Sequence, residues 1–377
     1  MTAVSIPDEA WAVAMARLPS VGPARLRALL ASVDGPDRFR RAWAAVVDGT
    51  IDPACVLNPP RGGPEVVLRQ WRAAAVTVDP DAYWKAHVDG GVGVAVHGTS
   101  AYPVALADDD DAPSILFWRG EIDVLAGTRV AIVGTRRATR YGIDVARSLG
   151  RDLSAAGVAV VSGLALGIDG AAHHGALEVD GAPPIAVVGS GVDHVYPRAN
   201  RSLWSQVAAR GVVLGEHPLG APAAAWQFPA RNRIIAALAD VVVVVESQST
   251  GGALGTALEA ARRGRPVLAV PGPVTAASSA GTNQLLFDGC APARDAGDVL
   301  LALGREPVRR RVAREHRVAP TGAASTVLST LPWQAVAVER VVVDTGLTLG
   351  AVALALDELE RDGWIVQRAG WIERVAR

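Results

Sequence analysis

The chain has 377 residues, half of them hydrophobic and a fifth charged, which excludes a disordered polypeptide and allows two or three packed domains. Its formal net charge is −1, so a global basic field for nucleic acid is excluded and any such site must be local. Of the 37 basic residues only Lys85 is a lysine, so the position of an arginine carries information and its abundance does not.

Residues 1–78 read as a domain of short helices. Leu18-Pro19-Ser20-Val21-Gly22-Pro23, followed by Leu26, Leu29 and Leu30, has the pattern of a helix-hairpin-helix or of an ordinary helical hairpin, with Pro23 where the former usually has its second glycine. From 79 to 304 apolar strands alternate with longer helical stretches. Val130–Val133, Val158–Val161, Ile185–Val188, Val212–Leu214, Val241–Val245 and Val267–Val270 form a set of six strands. Helices between them predict an α/β fold built on a doubly wound parallel sheet, whose ligands bind beyond the carboxyl ends of the strands. An arginine-rich linker is expected over 305–320. From 321 to 377 a helix over Gly350–Arg361, then two short strands around Ala369-Gly370, resembles a winged helix, a fold that reads DNA or docks proteins.

Two cysteines, Cys55 and Cys290, form neither a disulfide framework nor a metal site and suit a reducing compartment. Asp8 and Glu9 interrupt any signal sequence, and no apolar run approaches the roughly 20 residues that span a bilayer. A cytoplasmic protein with no membrane association is expected.

Each candidate motif falls at the end of a predicted strand. Gly134-Thr135-Arg136 offers a close backbone approach and a charge to a phosphate, but lacks the spacing of a dinucleotide fingerprint, so no cofactor is expected. Ser162-Gly163-Leu164-Ala165-Leu166-Gly167 could cradle a phosphate with its N–H groups, with Asp169 as the cap of the next helix. His173 and His174 lack further ligands at metal spacing and are read as packing residues.

Tyr196-Pro197-Arg198-Ala199-Asn200 pairs an aromatic with an arginine, as single-strand binders do, although tyrosine before proline also simply pins loops. Phe228-Pro229-Ala230-Arg231-Asn232-Arg233 places two guanidinium forks near the start of a helix, where they look suited to phosphate. Gly251, Gly252 and Thr256 make a further glycine-rich turn. So many anion-friendly turns on one sheet edge exceed what a mononucleotide needs, and a chain of phosphates is the economical ligand.

In their order these motifs resemble the DNA processing protein A family (DprA, also called Smf). The likeness runs over GTR at Gly134–Arg136, SGLALGID at Ser162–Asp169 and YPRAN at Tyr196–Asn200. It continues through GEHP at Gly215–Pro218, FPARNRII at Phe228–Ile235, VPGP at Val270–Pro273 and GTNQLL at Gly281–Leu286. The resemblance implies a dimeric, extended Rossmann-like protein that binds single-stranded DNA and loads the RecA recombinase in natural transformation, without catalysing a reaction. A single-strand-binding protein is a further expected partner. By motif position it assigns DNA contact to Gly134, Thr135, Arg136, Ser162, Gly163, Gly167, Arg198, Asn200, Arg231, Asn232, Arg233, Gly251, Gly252 and Thr256, with no metal. The apolar Leu285-Leu286-Phe287 is the expected dimer surface.

Two departures bear on this. Gly251, Gly252, Gly255, Thr256 and Glu259 resemble the GGxGTxxE signature of LOG-type phosphoribohydrolases, in which Glu259 would assist loss of the base from a nucleoside monophosphate. Cys290 stands where the family commonly has glycine. A third reading is a pure adaptor, in which the winged helix docks a partner and the arginines are solvated.

Overall fold

In the computed structural model, residues 6–35, 37–306, 319–368 and 370–375 are described. Two compact units divide the chain, residues 1–307 and 308–377. The linker expected over 305–320 falls largely on 307–318, outside the described residues, as does Ala369 of the expected winged-helix turn.

The first unit opens with five helices: α1 (Asp8–Met15), α2 (Gly22–Ala31), α3 (Arg38–Asp48), α4 (Pro64–Ala75) and α5 (Pro80–Asp89). Between α1 and α2 the hairpin turn is present. Ser20 and Gly22 both take left-handed backbone, at φ 55° and 53°. The Arg25 guanidinium binds the carbonyls of Ser20, Leu57 and Asn58, and the Trp71 indole donates to Pro19 O at 2.9 Å, so the turn is tied into its own layer.

Next come β1 (Gly93–Val96), α6 (Val104–Ala107) and β2 (Ile115–Gly120), an edge pair the sequence did not announce. The repeating part follows: β3 (Arg129–Val133), α7 (Arg140–Ala155), β4 (Ala159–Ser162), α8 (Ile168–Leu177), β5 (Ile185–Val187), α9 (Arg201–Arg210), β6 (Val212–Gly215), α10 (Gln227–Leu238), β7 (Val241–Val244), α11 (Gly252–Arg262) and β8 (Val267–Ala269). After it come α12 (Ala280–Phe287), β9 (Ala291–Pro292) and α13 (Ala296–Ala302).

All six expected strands form, and they lie in the order β6-β5-β4-β3-β7-β8, parallel throughout. Their valine runs are buried on both faces, as a central parallel strand requires. Alternate residues feed opposite layers. Val130 and Ile132 pack with α7 and α8, whereas Ala131, Val133, Val242 and Val244 pack with α10 and α11. At the other end of the sheet Ala186, Val188 and Val213 share one core with the N-terminal helices. The winding direction reverses between β3 and β7, which places a crevice at their carboxyl ends.

The second unit holds α14 (Gly322–Thr330), β10 (Val336–Ala337), α15 (Val338–Thr345), α16 (Leu349–Arg361), β11 (Ile365–Arg368) and β12 (Trp371–Arg374). Its three strands are antiparallel in the order β10-β12-β11, and Val327, Val341, Leu356 and Leu359 join their inner face in one small core. This is a winged helix, with α16 in the place of the recognition helix.

Candidate nucleic-acid interface

At the crevice, the turns after β3, β4 and β7 touch backbone to backbone. Thr135 N donates to Glu246 O at 2.8 Å, and Ile168 N to Thr135 O at 3.3 Å. Gly167 has φ 78°, and a Cβ there would stand 2.3 Å from Thr135 O, so only glycine lets the two turns close. Buried Glu246 accepts the backbone N–H and the hydroxyl of Thr139 and so fixes the start of α7.

Three asparagines cross-brace the edge. Asn200 donates to Leu164 O and Ala165 O at 2.9 and 3.1 Å. Asn232 donates to Gly252 O at 3.3 Å. Asn283 both accepts from Gly272 N and donates to Gly272 O. Asn200 and Asn232 thus hold turns in place, each with an amide already committed to a carbonyl.

Beside these braces lies a partly exposed stack, with Phe228 half-buried between its neighbours. The Arg136 guanidinium carbon sits 4.8 Å from the centre of the Phe228 ring, and the Phe228 and Tyr196 rings are 5.2 Å apart at 33°. This joins the turn after β3, the loop after β5 and the first turn of α10. Arg136 and Arg198 are exposed, and Tyr196 is 42% exposed. A guanidinium lying on an aromatic face keeps its in-plane N–H groups for an anion, while the rings offer π-faces to bases. Phe228 joins this surface without having been named as a contact. A ring between two arginine-bearing motifs was the signal available for Phe228.

Several expected contacts are turned inward instead. Arg231 is buried, and its guanidinium donates to Gly163 O at 3.1 Å and to Val187 O. Burial lowers its pKa to about 10, against the opposing pull of Asp169. Arg233 grips Glu216, with neither side chain more than 15% exposed. The two forks therefore hold the protein together and are not presented to phosphate. The reason is placement: Arg231 lies in the second turn of α10, on the face that packs on the sheet, where no backbone N–H is left over for an anion.

The expected phosphate cradle at Ser162–Gly167 is likewise filled from within. Asp169 is not the cap of α8, which is Gly167, but a buried residue of the first turn. Its carboxylate accepts Gly163 N at 3.1 Å and the N–H of Ala165, so the chain's own anion takes those donors. Burial raises the Asp169 pKa, and the charge of Arg231 opposes that rise. Ser162 is buried and donates to Ile132 O at 2.6 Å, and Thr256 is buried too. Gly134, Thr135, Gly167, Gly251 and Gly252 remain at least partly accessible along the edge.

His173 is a packing residue: it is fully buried, and burial pushes its pKa down to about 3. Among the described residues no group of three His, Cys, Asp or Glu side chains is placed to hold a metal, and Cys55 and Cys290 are both free thiols. Glu259, the residue on which the hydrolase reading depends, pairs with Arg262 and Arg263, and Arg263 in turn binds Asp109. It shares a cavity with Arg129, the first residue of β3, and Arg265, which precedes β8, so it belongs to the amino edge of the sheet, away from the glycine turns. Its carboxylate is thus engaged by two arginines, which speaks against the hydrolase reading. Among the described residues no helix is long and apolar enough to cross a membrane.

Comparison with known proteins places these features in a lineage. Residues 93–304 match the family model described as DNA recombination-mediator protein A, and residues 313–370 match the DprA winged helix domain. A putative DNA processing protein DprA of Mycobacterium tuberculosis is 39% identical over 278 residues, covering 69% of this chain and 70% of that protein. DNA processing protein DprA of Bacillus subtilis is 35% identical over 225 residues, covering 59% of this chain and 75% of that protein.

Among solved structures, DNA processing protein A from Streptococcus pneumoniae superposes with a TM-score of 0.62 at 28% identity, covering 79% of this chain and 98% of that one. The corresponding Helicobacter pylori protein, in a structure concerned with its single-stranded DNA binding mode, gives 0.51 at 28% identity, covering 56% of this chain and 95% of that one. The ordered turns, the reversal between β3 and β7 and the winged helix at the end agree with both family models, and the chain belongs to the DNA processing protein A (DprA/Smf) family.

Proposed function

We propose that the chain binds single-stranded DNA along the carboxyl edge of its parallel sheet and delivers it to a RecA-type recombinase, in natural transformation or general recombination, without catalysing a reaction. The observation that carries this is the stack of exposed Arg136 and Tyr196 with half-buried Phe228. Its π-faces are useful to a strand whose bases are unstacked and free to lie on them, and its guanidinium is useful to the backbone. A duplex hides its base faces and gains only the charge term. Arg136 and Arg198 are the phosphate contacts, and Gly134, Thr135, Gly167, Gly251 and Gly252 allow the strand close approach. Asn200 and Asn232 act by bracing the turns, Arg231 and Arg233 by fixing α10.

The protein acts as a homodimer in the cytoplasm, displacing or cooperating with a single-strand-binding protein. Fluorescence anisotropy with a labelled single-stranded oligonucleotide tests the reading. Salt-sensitive binding that duplex competes poorly, weakened by Arg136→Ala and Arg198→Ala, supports it. Absence of binding at low salt, or equal competition by duplex, sinks it. Delivery is tested separately, by whether RecA nucleates faster on strands precoated with single-strand-binding protein when this protein is added.

A further inference from the structure

Along α16 of the winged helix, Val352, Ala355, Leu356 and Leu359 face the core, so Gly350, Leu354, Asp357 and Arg361 form the outward stripe. Leu354 is 75% exposed, and a Cβ at Gly350 would meet open space. A helix that reads the major groove presents arginine, lysine, asparagine or glutamine on this stripe. Here Arg361 is paired with Asp357 one turn before it, and Glu358 and Glu360 flank the pair.

The described part of the unit gives no compensating charge. Residues 319–375 hold seven carboxylates against four arginines. Arg340 pairs with Asp344 at 2.8 Å, and Arg374 donates to Leu331 O and lies over Trp333. The side chain of Arg368 is outside the described residues. On α16 itself a phosphate backbone would meet three carboxylates, Asp357, Glu358 and Glu360, against the one cation of Arg361.

We propose that this winged helix does not read DNA and instead docks a basic, amphipathic helix of a protein partner on the outer face of α16. The face is graded. Its first half is apolar and small, with Leu349, Gly350, Ala353 and Leu354, which lets a second helix approach closely. Its second half gathers Asp357, Glu358 and Glu360 around Arg361 at the negative end of the helix dipole; Asp357 pairs with Arg361 and Glu360 accepts from Gln367, and the net negative charge that is left favours cations from a partner. A partner helix with an apolar ridge running into arginines or lysines matches both halves.

The test uses the full chain and a labelled synthetic helical peptide with leucines on one face and arginines on the other. A peptide of equal charge with serines in place of the leucines, and a duplex oligonucleotide, serve as comparisons. The leucine–arginine peptide is expected to bind more tightly than the serine–arginine one. Leu354→Asp, and separately the double change Asp357→Arg with Glu358→Arg, are each expected to weaken it about tenfold, the scale of one well-placed interface residue. Single-stranded DNA binding stays unchanged in both variants, which separates this surface from the carboxyl edge of the sheet. All three substituted residues are exposed, and an unaltered urea midpoint verifies that each variant folds. Equal peptide binding by all variants overturns the proposal, as does duplex binding by the native chain that Leu354→Asp abolishes.

Discussion

The Arg233 guanidinium holds both carboxylate oxygens of Glu216 in a parallel two-bond fork, Nη1 to Oε1 at 3.0 Å and Nη2 to Oε2 at 2.7 Å. It ties the start of the loop after β6 to the second turn of α10. Both side chains are largely shielded from water, at 15% and 5% exposure. Removing one partner strands the other, so Glu216→Ala is expected to cost about 3–5 kcal/mol of folding free energy. Replacing both by Met and Leu is expected to recover much of that. Urea unfolding midpoints of the single and double variants measure the difference, and a single variant within about 1 kcal/mol of the native chain would refute the reading.

Charge and stacking at the proposed DNA edge separate by their salt dependence. Arg136→Ala is expected to weaken single-stranded DNA binding and to lower the slope of log affinity against log salt by about 0.7, one phosphate's worth. Phe228→Ala removes a π-face, so it is expected to cost about 1–3 kcal/mol of binding while the slope changes only insofar as Arg136 loses its support. Anisotropy titrations at four salt concentrations on each variant give both numbers. Identical slopes for the native and Arg136→Ala proteins would remove Arg136 from the phosphate path.

Stability is expected to fall on mild acidification because of His173. Burial lowers its pKa to about 3, so the folded chain keeps the ring neutral while the unfolded chain protonates it below the ordinary value of about 6.5. Between those values the unfolded state binds more protons, and stability drops as pH falls. The stabilisation is complete above about pH 6.5 and is lost toward pH 3, at about 1.4 kcal/mol per pH unit in the steep part. His173→Leu keeps the site apolar and is expected to flatten this dependence. Urea unfolding at pH 7.5 and pH 5 compares the two, and parallel losses in both proteins would show that other groups dominate.

Two glycines of the carboxyl edge of the sheet are expected to respond oppositely to alanine. At Gly163 a Cβ would stand 2.4 Å from both terminal nitrogens of Arg231, a side chain whose partners leave it nowhere to move, so Gly163→Ala is expected to be strongly destabilising. At Gly252, the first residue of α11, nothing lies within 4 Å of such a Cβ, and alanine there favours the helix. Gly252→Ala is therefore expected to leave stability level or slightly raised. Any loss of DNA affinity in that variant then reports contact with the strand. Thermal melts of the two proteins check the first contrast.

The strands and the order of the turns were legible because valine runs between helical stretches and glycine-rich turns are local signals. Burial of Arg231 was not, since an arginine reads as exposed by its chemistry, and only the seating of α10 on the sheet turns it inward. Asp169 misled for a related reason. An acid just after a glycine loop has the signature of a cap, but the cap is Gly167, held close to Thr135, and Asp169 falls two positions past it. The β1–β2 edge went unnoticed because its strands carry glycine, alanine and tryptophan where a long branched-aliphatic run would have stood out. The stack of Arg136, Phe228 and Tyr196 draws on three motifs separated by up to 92 positions, so no window of sequence contains it.

The shared core of the N-terminal helices and the sheet sets a limit on how the chain can be shortened. Leu29, Phe39 and Trp71 belong to the same packed cluster as Phe117, Leu164, Val188 and Val213. Trimming the chain at residue 79, where the pattern changes from short helices to strands, would strip one flank of the sheet and leave those apolar side chains as a sticky open surface. A useful minimal fragment for crystallisation or labelling work therefore keeps α1 to α5 and is cut only after α13.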